Sequence, residues 1–181
     1  MPKSLTVTPI KVNVGWQFRN STNIGADVIQ SYAVNYSKTL TDGTGSGSAN
    51  QIYADKLTIA AGATTTLDFT GAGALTDIFG SAVAFARIKL LYLEHLTSAA
   101  TAAVEIAGTW VSATSGTANF LILGGTTPTV KALLRPGWCL FLGGTEATAF
   151  PVANGTTDTI TLKNTDAAPI SLNVVVVGAN A

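Results

Sequence analysis

The sequence is poor in the side chains that most often carry catalysis and metal binding. Its 181 residues include one cysteine and one histidine. One cysteine excludes an intrachain disulfide. One Cys and one His in separate segments disfavour a zinc site, which takes three or four Cys, His or carboxylate ligands. His95 has Glu94 beside it, and a strand would turn these neighbours to opposite faces. We therefore interpret His95 as a structural or partly exposed histidine near a strand end.

Charge is also scarce. Only 11% of the residues are charged, and ten basic and ten acidic residues cancel, whereas a soluble domain carries about 25% charged residues. The basic residues are scattered singly, which argues against a nucleic-acid partner. A free protein with so little charge tends to self-associate. Either neighbours in an assembly cover much of its surface, or the surface is rich in Ser, Thr and Asn; the composition leaves both open.

The acidic residues are dispersed, and none lies within three residues of another. A pair of catalytic carboxylates could be assembled only by the fold, as in sandwich glycosidases. No calcium-loop pattern is present. The sequence therefore predicts a protein that is not an enzyme and has no cofactor, with a sandwich hydrolase as the minor alternative.

Long apolar runs are missing too. No signal-peptide-like run follows Met1, and the strongest apolar stretches, 87–96 and 174–177, are shorter than a membrane span. We expect synthesis in the cytoplasm, no signal peptide and no membrane partner. The run Trp138–Leu142 is apolar, so we expect Trp138 and Cys139 to lie in the core.

What the sequence does have is a series of short β-branched runs between Gly and Asn turn signals. This spacing predicts an all-β fold, a two-sheet antiparallel sandwich of jelly-roll type. Residues 74–80 predict one short helical turn ended by Gly80. Residues 83–96 fit a helix or a strand, and because their neighbours are strand-like we expect a central strand that is buried on both sides toward its end. The Gly-rich stretch 42–48 lacks a phosphate-loop Lys-Ser/Thr, which favours a mobile hairpin tip.

The N-terminal segment is predicted to be an extended arm or edge strand at residues 1–26, ahead of a single sandwich domain at 27–181. Residues 5–14 alternate with period two, and Pro9 interrupts them, which favours an edge strand. Residues 15–23 are interpreted as a connection carrying two aromatic anchors. The candidate partner or ligand contacts are Val7, Ile10, Val12, Trp16, Phe18 and Trp110.

From Leu57 onward the chain resembles small single-domain structural proteins of tailed bacteriophages. The residues that carry the resemblance are the segments 57–63, 75–80, 85–93, 134–138 and 154–160. These are turn and strand signatures without chemistry, so they specify a fold better than a function.

The resemblance implies a jelly-roll-like virion component made in the host cytoplasm, above all a head decoration protein that stabilises the capsid. It implies a homo-oligomer, with a trimer as one possibility, and contacts with capsid or other virion proteins. The alternative is a glycan- or receptor-binding module of a tail or fibre, since Trp16 and Trp110 could stack on sugar rings.

Overall fold

The structure is a computed structural model that describes residues 5, 7–21, 27–70, 75–97, 103–108, 132–147 and 149–180. These residues form twelve β-strands and no helix, so the prediction of an all-β chain is confirmed. The strands are β1 (Val7–Ser21), β2 (Asp27–Asp42), β3 (Ser48–Ala49), β4 (Gln51–Ile59), β5 (Thr64–Asp68), β6 (Arg87–His95), β7 (Val104–Ala107), β8 (Ala132–Leu134), β9 (Cys139–Gly143), β10 (Phe150–Pro151), β11 (Thr159–Asn164) and β12 (Ile170–Ala179).

Two antiparallel sheets form the body of the protein. One has five strands in the order β10-β6-β12-β4, with β9 pairing on β6, and the other has four strands in the order β5-β11-β7-β8. Inward-facing side chains of both sheets join in one hydrophobic core, because alternate side chains of each strand point to the same face of its sheet. The core includes Ile59, Leu67, Phe69, Leu91, Leu93, Val104, Ile106, Ile160, Leu162, Leu172, Val174 and Val176.

The segment that fits either a helix or a strand is the strand β6. It lies inside the five-stranded sheet and is buried along most of its length. Leu91 and Leu93 belong to the core between the sheets, whereas Leu90 belongs to a second cluster on the outer face of the sheet. Burial on both faces explains the near-continuous apolar sequence, since a strand with one wet face alternates with polar residues.

A β-bulge at Lys89 sets the two faces of β6. Leu90 pairs with Val177 and Ile88 with Gly178, so the extra residue on β6 is Lys89. The strands approach so closely here that a Cβ on Gly178 would overlap the carbonyl oxygen of Arg87. The bulge returns Ile88 to the core, which a regular alternation from Leu90 would not do.

β1 and β2 form a long antiparallel hairpin. Their register pairs Val12 with Tyr36, Trp16 with Tyr32 and Phe18 with Gln30. β1 therefore continues through residues 15–21, where the sequence predicted a connection. The predicted boundary between an arm at 1–26 and a domain at 27–181 falls between the two strands and stays a prediction.

The ladder of this hairpin is irregular between Val7 and Ile10, on either side of Pro9. Proline has no N–H to donate, so an irregular step in an edge strand is where a sheet tolerates it. The irregularity thus follows directly from the sequence.

The Gly-rich stretch folds back on β2. The amide of Thr41 donates to the carbonyl of Gly47 at 2.9 Å, and β3 then pairs with β2 in parallel. The amide of Gly47 donates to the carbonyl of Thr145 at 2.7 Å, which ties this loop to the segment after β9.

The predicted helical turn at 74–80 is not confirmed. Residues 75–80 belong to a tight loop that is closed by an isolated bridge between Thr76 and Ala82. One carboxylate oxygen of Asp77 accepts from the amides of Phe79 and Ser81, at 2.9 and 2.8 Å. An aspartate that bonds the backbone ahead of it competes with helix formation, which explains the difference.

Candidate interaction surfaces

The hairpin is fastened to the outer face of the five-stranded sheet by the end of β2. Leu40 is 1% exposed and Ala49 is fully buried, and both join Leu90 and Val177 in the second cluster. Burying a leucine side chain in this way stabilises the contact by about 1.5–3 kcal/mol. This end of the hairpin is therefore an integral part of the body.

Further from this anchor the hairpin covers the sheet less completely. The rings of Tyr36 and Phe141 meet edge to face, with centroids 6.4 Å apart. Two apolar clefts of about 350 and 390 Å³ adjoin this contact, and Val12 and Phe141 line both. The space between hairpin and sheet is thus open to a small apolar group.

Five of the six predicted contact residues lie on one strand. Val7, Ile10, Val12, Trp16 and Phe18 all belong to β1. Among their side chains the structure describes that of Val12, which is half-buried against the clefts. Trp110 lies outside the described residues. Partner contact by these residues stays a prediction.

The expectation that Trp138 and Cys139 are buried is wrong. Trp138 is 57% exposed and the Cys139 thiol is exposed. Trp138 closes the turn that begins at Arg135 and precedes β9, and Gly137 in that turn has φ of +73°. The Pro-Gly pair before Trp138 indicates a turn. The sequence prediction gave more weight to the apolar run that follows Trp138, and so it placed this residue in the core.

A larger cavity, of about 600 Å³, lies beside the loop at 75–82. Ile78 and Phe79 line it and are 74% and 76% exposed. Asp42 and Asp77 also line it, and no Lys or Arg is among its described lining residues. Sequence reasoning missed this cavity because the fold assembles it from segments far apart in the chain. The available signal was a pair of large apolar residues inside a turn, next to a capping Asp.

His95 is confirmed as a strand-end residue and is almost fully buried. Its Nδ1 accepts from the amide of Thr97 at 3.2 Å, and its Nε2 has no hydrogen-bond partner among the described residues. Burial lowers the pKa of His95, because the charged imidazolium loses its hydration. Burial therefore favours the neutral imidazole in the folded state.

Lys89 is the second buried basic group. Its ammonium donates to the carbonyl oxygens of Glu146 and Ala147, and Arg87 donates to the same carbonyl of Ala147. Burial, together with the nearby charge of Arg87, lowers the pKa of Lys89. Both cations hold the loop after β9 against β6, which is a structural role.

The described residues contain no group of three or more His, Cys, Asp or Glu placed to hold a metal ion. In the part of the chain that the structure describes, no helix is long and apolar enough to cross a membrane. Comparison with known protein families, curated proteins and solved structures finds no match to this chain.

Proposed function

We propose that this chain is a non-enzymatic structural protein of a bacteriophage virion, a head decoration protein that stabilises the capsid through protein–protein contacts. In this role it acts as a homo-oligomer bound to capsid or other virion proteins. The body is a jelly roll, and the β1–β2 hairpin is the segment that reaches toward neighbours.

The observation that carries the proposal is the nested pairing of the body strands. Apart from the two-residue β10, which also pairs with β6, the first four strands of the body pair with the last four in reverse order: β4 with β12, β5 with β11, β6 with β9 and β7 with β8. Rolling up such a nested hairpin gives the strand orders β4-β12-β6-β9 and β5-β11-β7-β8. These orders are the ones expected of a jelly roll, a fold frequent in viral capsid and lectin domains, and they therefore support the proposal. The step from fold to virion is an argument by analogy.

The hairpin supports the contact role. β1 lies at the edge of its sheet, with β2 on one side of it. An edge strand presents unpaired N–H and C=O groups that a strand of another chain can pair with. Of the β1 side chains that the structure describes, Lys11 is exposed and Val12 is half-buried.

The test is to locate the chain in purified virions. We expect mass spectrometry of gradient-purified particles to find it in many copies per particle, and the purified chain to bind capsids that lack it. Its absence from particles, together with no binding to such capsids, would overturn the proposal. A tailless-head preparation separates a head protein from a tail or fibre protein.

Glycan binding is the second candidate, and the exposure of Trp138 favours it. An indole 57% exposed on a rigid turn offers a stacking surface for a sugar ring. A glycan array gives the test, with Trp138→Ala as the variant that should lose any signal. A signal that survives this variant would point to Trp16 or Trp110 instead, and no signal would remove the candidate.

A further inference from the structure

The two ends of the body carry opposite chemistry. At the end where β6 begins, the 600 Å³ cavity combines the apolar side chains of Leu5, Ile52, Ile78 and Phe79 with two carboxylates. Its volume falls within the range of pockets that enclose small ligands, about 300–1,000 Å³. A group that is apolar and also carries positive charge would complement this end.

At the end where β6 finishes, an exposed turn carries both an apolar and a positively charged side chain. Arg135 is exposed, Trp138 is 57% exposed, and Leu96 beside them is 39% exposed. The turn is held in place by three backbone hydrogen bonds of 3.0 Å, from Trp138 to Arg135, from Gly137 to His95 and from His95 to Trp138. Because it is already ordered, it loses little conformational entropy when it docks.

One copy cannot bring its own turn to its own cavity. The loop that lines the cavity precedes Arg87, and the turn bonds to His95 at the other end of the same strand. At about 3.3 Å per residue the two features lie roughly 26 Å apart along β6. The matching surfaces therefore belong to different copies of the chain.

We propose that the Arg135–Trp138 turn of one copy docks in the Asp42 and Asp77 cavity of the next. The indole packs against Ile78, and the guanidinium pairs with the carboxylate of Asp42 at the rim. Tryptophan and arginine are the residue types that most often dominate interface energetics. The contact is head to tail, so repetition closes a ring or extends a filament, depending on the rotation between copies.

This inference rests on the proposed function, since it names the partner in a protein that works by protein contacts. Its test uses two single variants that each disable one half of the contact. Trp138→Ser removes the indole from the turn, and Ile78→Lys places a cation in the cavity. Thr66→Lys is the matched control, because Thr66 is exposed in the middle of β5, at the edge of the four-stranded sheet opposite to β8 and its turn.

We expect sedimentation velocity and native mass spectrometry to show oligomers for the native chain and for Thr66→Lys. Trp138→Ser and Ile78→Lys alone should each run as monomers at the same concentration. Mixed in equal amounts, they should form a one-to-one dimer and nothing larger, because each retains one working half. Circular dichroism on every variant checks that the fold is intact.

A charge exchange tests the same contact without removing an apolar side chain. Arg135→Glu should be monomeric, and Arg135→Glu combined with Asp42→Lys in one chain should recover the oligomer. A native chain that stays monomeric up to millimolar concentration overturns the inference, and so does a mixture that stays monomeric. If the oligomers form as described but the chain is missing from virions, the proposed function is wrong and the inferred contact stands.

Discussion

The two faces of the five-stranded sheet are covered in different ways. On the inner face, Leu91 and Leu93 are fully buried against the second sheet. On the outer face, Leu90 is 6% exposed beneath one end of a hairpin, and clefts of about 350 and 390 Å³ remain beside it. Neighbouring residues of β6 are therefore packed differently: closely on the inner face and incompletely on the outer face.

The contrast persists at the end of β6. His95 faces inward and is almost fully buried, whereas Glu94 accepts a hydrogen bond of 2.8 Å from the side chain of Asn173 on the outer face. The inner face has the close packing that specifies one fold. The outer face is only partly filled, and space left on a sheet surface is where a partner can bind.

The largest expected difference comes from two adjacent leucines. Leu91→Ala should lower the free energy of unfolding by about 3–5 kcal/mol, because the cavity it leaves is enclosed by both sheets. Leu90→Ala should cost about 2 kcal/mol, since the hairpin above it can shift to fill part of the space. Urea unfolding of both variants measures the difference. Equal losses would show that the hairpin is packed as tightly as the second sheet.

The hairpin anchor should give the next largest effect, and a local one. Leu40→Ala should weaken the closure of the hairpin on the sheet by about 2 kcal/mol. Hydrogen exchange should then speed up for the amides of β2 while those of β12 keep their protection. Thr39→Ala, at the exposed neighbouring position, is the control. Faster exchange in both strands would mean that hairpin and body open together.

The inner face was the more predictable of the two. The β-branched run at 170–177 and the apolar run at 87–96 indicate the strands β12 and β6, because burial on the sheet leaves a direct pattern in the sequence. Which strand pairs with which has no such local signal. The nested order of β4 to β12 depends on contacts between residues far apart in the chain, so the sequence predicted a sandwich without its pairings.

The interaction surfaces were predicted less well for a physical reason. Trp138 and Ile78 lie in turns, where exposure depends on what the fold packs beside them and not on periodicity. The apolar run after Trp138 predicted burial, and the capping bonds of Asp77 replaced the predicted helical turn. The alternation at 5–14 predicted the first part of the edge strand β1, whereas residues 15–21, interpreted as a connection, continue the strand.

Acidification should lower the stability of the fold through His95, which lies on the inner face of the sheet. Burial lowers the pKa of His95 in the folded state, so the unfolded chain takes up a proton first as the pH falls. Stability should therefore be constant above the unfolded pKa of about 6.5 and decline below it, by at most 1.4 kcal/mol for each pKa unit of lowering. Urea midpoints between pH 7.5 and 5.5 measure this. His95→Asn, which keeps an acceptor for the amide of Thr97, should remove the decline; a decline that persists must come from another group.

The smallest expected effect tests whether the middle of the hairpin is seated on the outer face. Edge-to-face aromatic pairs contribute about 0.5–1.5 kcal/mol beyond their buried area, and the Tyr36–Phe141 pair borders an open cleft. We expect a coupling of about 0.5 kcal/mol from a double-mutant cycle with Tyr36→Leu and Phe141→Leu. The same cycle with Ser37→Ala, at an exposed position of β2, should give none. Zero coupling for the aromatic pair would mean that Tyr36 does not pack on the sheet. The hairpin would then contact the outer face of the sheet only at its anchored end, around Leu40.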